Sequence, residues 1–148
     1  MRANRMLVKA RRILACVAMP AALSCPCAAG QSPQPAARVI EILADHDSRY
    51  KMAGQKQPMI TVKAGEPITL RITAKKAKNV NRDGAIHGFT LLHAKDRSPV
   101  PDWDFLLKPG VQEFSVTAPG GPGEYLVVCT VICSQDHEGM EMKFVVRP

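Results

Sequence analysis

Near the end of the chain, residues 129–140 read Cys-Thr-Val-Ile-Cys-Ser-Gln-Asp-His-Glu-Gly-Met. Cys129, Cys133, His137 and Met140 thus bring two thiols, an imidazole and a thioether into twelve residues. All four are soft or borderline donors. Thiolate and thioether sulfur select copper over hard cations, and imidazole suits copper as well. No carboxylate cage of the kind that calcium or magnesium requires stands with them. A further imidazole, His87 in Ile86-His87-Gly88-Phe89, opens an apolar run upstream and supplies a donor from another part of the chain.

The residue types alone leave three other uses of these side chains open. Two cysteines four residues apart in an exported protein can close a disulfide, which leaves the histidine and methionine spacing without a purpose. Two cysteines and two histidines can make a closed tetrahedral zinc site, which has no need of Met140. A mononuclear blue-copper site takes two histidines, one cysteine and one methionine, and has no use for the second cysteine.

These donors need a frame, and the apolar pattern describes one made of strands. Short apolar runs alternate with turn residues, without the ten-residue amphipathic stretches that mark helices. The pattern predicts strands at Val39–Leu43, Met59–Val62, Ile68–Thr73, His87–His93, Val111–Thr117, Tyr125–Val128 and Met142–Val146. Ile68, Leu70 and Ile72 alternate with Thr69, Arg71 and Thr73, which predicts one buried and one wet face. Ala64-Gly65-Glu66-Pro67, Lys108-Pro109-Gly110 and the Pro/Gly-rich run from Ala118 to Gly123 punctuate the strands. Seven such strands imply an all-β antiparallel sandwich. Asp45–Pro58 and Asp96–Lys108, the latter holding Trp103, read as long loops. Met142, alternating with Phe144 and Val146, is expected in the core, and His46 and His93 on the surface.

The first thirty residues stand apart. Arg2, Arg5, Lys9, Arg11 and Arg12 precede an apolar run, Ile13–Leu23, and small residues Cys27 to Gly30 follow it. This is the pattern of a signal peptide; eleven apolar residues fall short of the roughly 20 that cross a bilayer. Leu23-Ser24-Cys25 also partly matches a lipoprotein signal and Arg11-Arg12 a twin-arginine one. Residues 31–37 form a polar, Pro-containing lead-in, and 38–148 the domain. The formal charge of +7 belongs largely to the leader: five of the 20 Lys+Arg lie there, leaving 15 against 13 acids, a net of about +2. That removes nucleic acid as an expected partner, since no basic stripe interleaved with aromatics remains. Cys16, Cys25 and Cys27 leave with the leader, so only Cys129 and Cys133 remain. Lys75, Lys76, Lys78 and Arg82 read as a solvated loop, with steering of an acidic partner as the alternative.

A lone histidine opening a strand, followed by Cys-x3-Cys-x3-His-x2-Met between the last two strands, resembles the CuA domain of cytochrome c oxidase subunit II. His87-Gly88-Phe89 and Met140-Glu141-Met142 are also similar to the CuA domain of nitrous oxide reductase. The likeness runs from about Val39 to the C-terminus, through the turns Ala64-Gly65-Glu66 and Pro109-Gly110. It implies a cupredoxin-like Greek-key β-sandwich holding two copper ions. Cys129 and Cys133 would each bridge both ions, His87 and His137 would each bind one, Met140 would be a weak axial donor, and the Val131 carbonyl would complete the set. Oxidase subunits usually carry glutamate at this last position; a carbonyl ligand is independent of the side chain, whereas a role for that glutamate would be lost. Ile86, Phe89, Val128 and Ile132 are expected to form an apolar ring that keeps water away.

The resemblance implies electron transfer. Two thiolates shared by two coppers spread the transferred electron, so each bond changes little and reorganisation is small. Five side-chain donors leave no open position for a substrate and no activated nucleophile, so catalysis by this chain alone is not expected. The implied partners are a donor such as a c-type cytochrome and an acceptor that is a terminal oxidase or reductase. The implied location is the periplasm or the outer face of the membrane, with membrane contact only through a lipid anchor. The chain shows neither the transmembrane hairpin of oxidase subunits nor the catalytic domain of nitrous oxide reductase, and the tryptophan-rich electron entry of many oxidases is not evident. A free-standing relative, or a subunit held by others, is expected. From a different class, copper binding and delivery without redox turnover uses the same ligands.

Overall fold

A computed structural model describes residues 37–148 except 77 and 136, and of His137 the backbone only. The expected leader and nearly all of the lead-in lie outside these residues. Among the described residues nine strands form two sheets: β1 (Arg38–Asp45), β2 (Arg49–Lys51), β3 (Met59–Lys63), β4 (Pro67–Ala74), β5 (His87–His93), β6 (Pro99–Leu107), β7 (Gly110–Thr117), β8 (Gly123–Val128) and β9 (Glu141–Arg147). One sheet runs β2-β1-β4-β7 and the other β3-β9-β8-β5-β6. The expected all-β sandwich is present. Its ladders are not all antiparallel, because β1 pairs with β4 and β3 with β9 in parallel.

The alternating pattern of β4 has the expected outcome: Ile68, Leu70 and Ile72 are buried while the residues between them are half-exposed. Facing them across the core are Phe89 and Leu91 of β5, Val127 of β8 and Phe144 of β9, each fully buried. At about 25 cal/mol per Å² of apolar surface, each such side chain adds roughly 1.5–3 kcal/mol to the drive to fold. Met142 is buried as expected, and His46 and His93 are exposed.

The two expected loops are corrected. Asp45–Pro58 contains the short strand β2, and Asp96–Lys108 contains the nine-residue strand β6. β6 is an edge strand, a place in a sheet that tolerates its Pro99 and Pro101. Asp102 takes φ 62° and the β5–β6 register slips between Thr90 and Leu92, so the strand's alternation is broken. Trp103 is buried and packs edge-on against Phe144, with ring centroids 5.3 Å apart. It is a core residue.

Four segments meet at one end of the sandwich: the β1–β2 turn, the loop after β4, the start of β5 and the β8–β9 loop. Backbone bonds tie them together, Lys75 N–H to the Ala44 carbonyl at 2.9 Å and Asn79 N–H to the Cys133 carbonyl at 3.1 Å. The β8–β9 loop ends in a 3-10 turn, His137–Gly139.

Candidate metal centre

His87, the first residue of β5, is fully buried. Its Nε2 lies 3.2 Å from the Lys75 carbonyl oxygen. A carbonyl only accepts, so Nε2 carries the proton and Nδ1 presents a lone pair. Nδ1 is buried and has no hydrogen-bond partner among the described residues. Burial is the largest influence on the ring and lowers its pKa, which favours the neutral form that metals bind.

Donor atoms of His87, Cys129 and Cys133 all lie within 4.8 Å of one another. Both cysteines are free and buried, with their sulfurs 3.8 Å apart, against about 2.05 Å in a disulfide. Cys129 Sγ accepts the Gly88 N–H at 3.2 Å and lies 3.3 Å from the Val131 carbonyl oxygen. That carbonyl also accepts the Cys133 N–H at 2.7 Å, so it is fixed beside both cysteines. Burial pushes the Cys129 thiol up to about 11. Without a cation nearby, the apolar surroundings oppose a thiolate; a bound cation reverses that preference.

Met140 is fully buried at the end of the loop, its carbonyl accepting the Cys129 N–H at 3.1 Å. His137 lies in the 3-10 turn three residues before it. The position of its side chain is outside the described residues. The structure therefore brings His87, Cys129, Cys133 and the Val131 carbonyl together.

Gly88 explains how closely the two halves of the site approach. A Cβ there would lie 2.5 Å from Thr130 Oγ1 and 2.8 Å from the Thr130 nitrogen. Only glycine lets β5 press against the ligand loop at this distance. The Gly88 carbonyl accepts a hydrogen bond from the buried Tyr50 hydroxyl, and burial raises the Tyr50 pKa so that the phenol stays a donor. Thr130 Oγ1 lies 3.0 Å from Thr90 Oγ1, which in turn donates to Asp104 at 2.5 Å.

The expected apolar ring is corrected in one member. Ile86 and Phe89 are fully buried and Val128 is half-buried, but Ile132 is 69% exposed. It stands on the outside of the loop between the two cysteines. Sequence reasoning also missed Tyr50 and Ser48, both buried and both inside a stretch read as polar loop. Their only sequence signal is the alternation around Tyr50 in a strand of three residues, too short to register. Lys75, Lys76, Lys78 and Arg82 are exposed, as expected of a solvated loop.

No family model matches this chain, and no curated protein matches it. Solved structures do. Dithionite-reduced auracyanin from the photosynthetic bacterium Roseiflexus castenholzii is similar with a TM-score of 0.52 and 20% identity, over 76% of this chain and 98% of that one. Auracyanin A, a "blue" copper protein from the green thermophilic photosynthetic bacterium Chloroflexus aurantiacus, has a TM-score of 0.51 and 22% identity over 74% and 98%. A chain of a heme-copper terminal oxidase dimer has a TM-score of 0.50 and 18% identity over 79% and 76%. With the two-sheet topology these likenesses define the class: the fold is a cupredoxin fold.

Proposed function

We propose that this domain is an exported electron carrier whose metal is copper, held as a dinuclear CuA-type centre by His87, Cys129, Cys133, His137, Met140 and the Val131 carbonyl. The observation that carries the reading is the pair of free, buried thiols 3.8 Å apart, beside a buried imidazole whose Nδ1 has no hydrogen-bond partner among the described residues. A single blue-copper ion would use one of those sulfurs and leave the other buried without a role. A zinc site would leave Met140 out of the set. When bound, copper held by these residues would supply a one-electron couple at the end of the sandwich.

The chain's own part is to place the donors and keep water away. Ile86, Phe89 and Leu107 are fully buried, which raises the strength of every polar contact inside. The Gly88 N–H stabilises charge on Cys129, and the Lys75 carbonyl orients His87 so that Nδ1 faces inward. The proposed donor is a small redox protein such as a c-type cytochrome and the proposed acceptor a terminal oxidase or reductase, on the periplasmic side. Residues 1–30 are proposed as the export signal. No helix among the described residues is long and apolar enough to cross a membrane.

The test is to load the domain with copper under mild oxidant, count metal per chain and record visible and electron paramagnetic resonance spectra. Two coppers with hyperfine structure from an electron shared over both nuclei are expected. One copper with a four-line blue spectrum, or none alongside a Cys129–Cys133 disulfide, would overturn the dinuclear reading. Slow electron exchange with ready loss of copper to a chelator would replace transfer by delivery.

A further inference from the structure

The two sulfurs of the site are supported differently. Cys129 Sγ receives a backbone N–H, from Gly88. Cys133 Sγ has the side-chain hydroxyl of Ser48 at 3.6 Å, contributed from the β1–β2 turn 85 residues away in sequence. Ser48 is 2% exposed, and its hydroxyl lies 2.7 Å from that of the buried Ser134.

The backbone of Ser48 adds a second, independent observation. Its φ is 57°, in the left-handed region where side chains other than glycine are uncommon. The turn that holds it is closed by the Ser48 N–H to the Asp45 carbonyl at 3.1 Å. Asp45 is itself buried and accepts from the Lys51 ammonium at 2.7 Å and the His46 N–H at 2.9 Å. Glycine would occupy this conformation without strain. A buried serine is kept there with its hydroxyl between a sulfur and the Ser134 hydroxyl, and backbone strain held beside an inward polar group is common at functional positions.

We propose that Ser48 is a positioning residue for the metal centre, whose hydroxyl donates to Cys133 Sγ and limits the charge that this sulfur gives to the metal. The inference rests on the reading of Cys133 as a ligand. A ligating cysteine is deprotonated and can only accept. With the Ser48 proton placed on sulfur, the 2.7 Å contact is completed by the Ser134 hydroxyl donating to Ser48 Oγ. In that arrangement the chain Ser134 to Ser48 to Cys133 is polarised in one direction, each bond strengthening the next. A thiolate that shares its charge with a hydroxyl donates less to the metal, which favours the reduced ion. Ser48 thereby raises the reduction potential of the centre, and does so at one sulfur only.

The test compares the wild-type domain with Ser48→Gly, which removes hydroxyl and strain together, and Ser48→Ala, which removes the hydroxyl alone. Each is loaded separately with copper and with cobalt(II), a probe of thiolate donation that needs no redox change. Both variants should move the thiolate-to-metal charge-transfer bands to lower energy and shift the equilibrium with a one-electron mediator several-fold toward the oxidised form. Ser48→Gly should melt no lower than wild type, which separates the electronic effect from loss of fold. Ser134→Ala should shift the bands in the same direction by less. Wild-type bands and potential in both variants would overturn the inference, as would an effect in Ser48→Ala that Ser48→Gly does not share. Cobalt–thiolate bands in a wild type that gives no copper–thiolate spectrum would sink the copper reading, while the cobalt bands of the variants still decide the role of Ser48.

Discussion

Replacing Gly88 by alanine tests the close approach on which the site depends. The added Cβ would sit 2.5 Å from Thr130 Oγ1 and 2.8 Å from the Thr130 backbone nitrogen. The hydroxyl can rotate aside; the nitrogen moves only if the ligand loop moves. Restoring an ordinary contact of 3.4 Å requires the two backbones to part by about 0.6 Å. Overpacking of this kind costs about 1–3 kcal/mol. The same displacement stretches the Gly88 N–H bond to Cys129, a loss of about 1 kcal/mol. The expected destabilisation of the metal-free, reduced domain is therefore about 2–4 kcal/mol, against the roughly 5–15 kcal/mol by which domains are stable. In a domain of this size that lowers Tm by about 4 °C per kcal/mol. Because Thr130 follows Cys129 directly, a 0.6 Å displacement also exceeds the roughly 0.2 Å tolerance of metal–ligand distances, and copper retention against a chelator should fall at least tenfold. Urea denaturation and chelator competition measure the two effects. Adding Thr130→Ala should not restore stability, since it removes the hydroxyl and leaves the nitrogen. A Gly88→Ala protein within about 0.5 kcal/mol of wild type, or full rescue by Thr130→Ala, would refute the argument.

Tyr50→Phe leaves the Gly88 carbonyl without its buried donor and should lower the stability of the metal-free domain by about 1–3 kcal/mol in urea denaturation. Cys133→Ser should leave the metal-free fold nearly intact but reduce copper from two ions per chain to at most one, as read by metal analysis and paramagnetic resonance. The metal-free reduced protein should lose stability as pH rises from about 9 to about 11, because burial raises Cys129 to about 11 in the folded state and the unfolded chain ionises first. The copper-loaded protein, with no thiol proton left to lose, should lack that slope. At the acid end, hydrogen bonding from Lys51 holds the buried Asp45 carboxylate well below its usual range, so stability present above about pH 4 should fall as the pH drops further; Asp45→Asn should flatten that acid limb.

How much of this was legible in the sequence depends on where the physical signal is local. β4 was legible because one of its faces is buried and the other wet, so Ile68, Leu70 and Ile72 print a period of two. β6 was not, because two prolines and a residue at positive φ break the period, and only its place at a sheet edge makes them tolerable. Cys129 and Cys133 were legible because one short loop carries both, and the structure brings His87 to them. Ile132 misled because an apolar residue beside a ligand need not be buried; the turn of the loop decides which face it takes. Ser48, Tyr50 and the Lys75 carbonyl were invisible for a different reason: each reaches its partner across a fold, and serine, tyrosine and a backbone oxygen carry no mark of that in a linear pattern.

That division bears on what the site can do. The proposed donors lie mainly in one short loop, but the atoms that fix their orientation come from other segments tied to the two sheets. The Lys75 carbonyl sets the His87 ring, Gly88 sets the distance of β5 from the loop, Tyr50 anchors the Gly88 carbonyl, and the Ser48 hydroxyl stands at Cys133. A loop free of these contacts would rearrange around each oxidation state of a metal, since copper(I) and copper(II) favour different geometries. Here a displacement of the donors strains buried hydrogen bonds to two sheets at once, so the protein resists following the metal. Resistance of that kind slows nothing in an electron carrier and lowers the reorganisation that each transfer requires, whereas a carrier that must release its metal needs the loop to open. The density of buried contacts on the cysteine loop is therefore the structural ground for preferring transfer to delivery, and the Gly88→Ala protein, with that contact loosened, should exchange electrons more slowly and give up copper more readily than wild type.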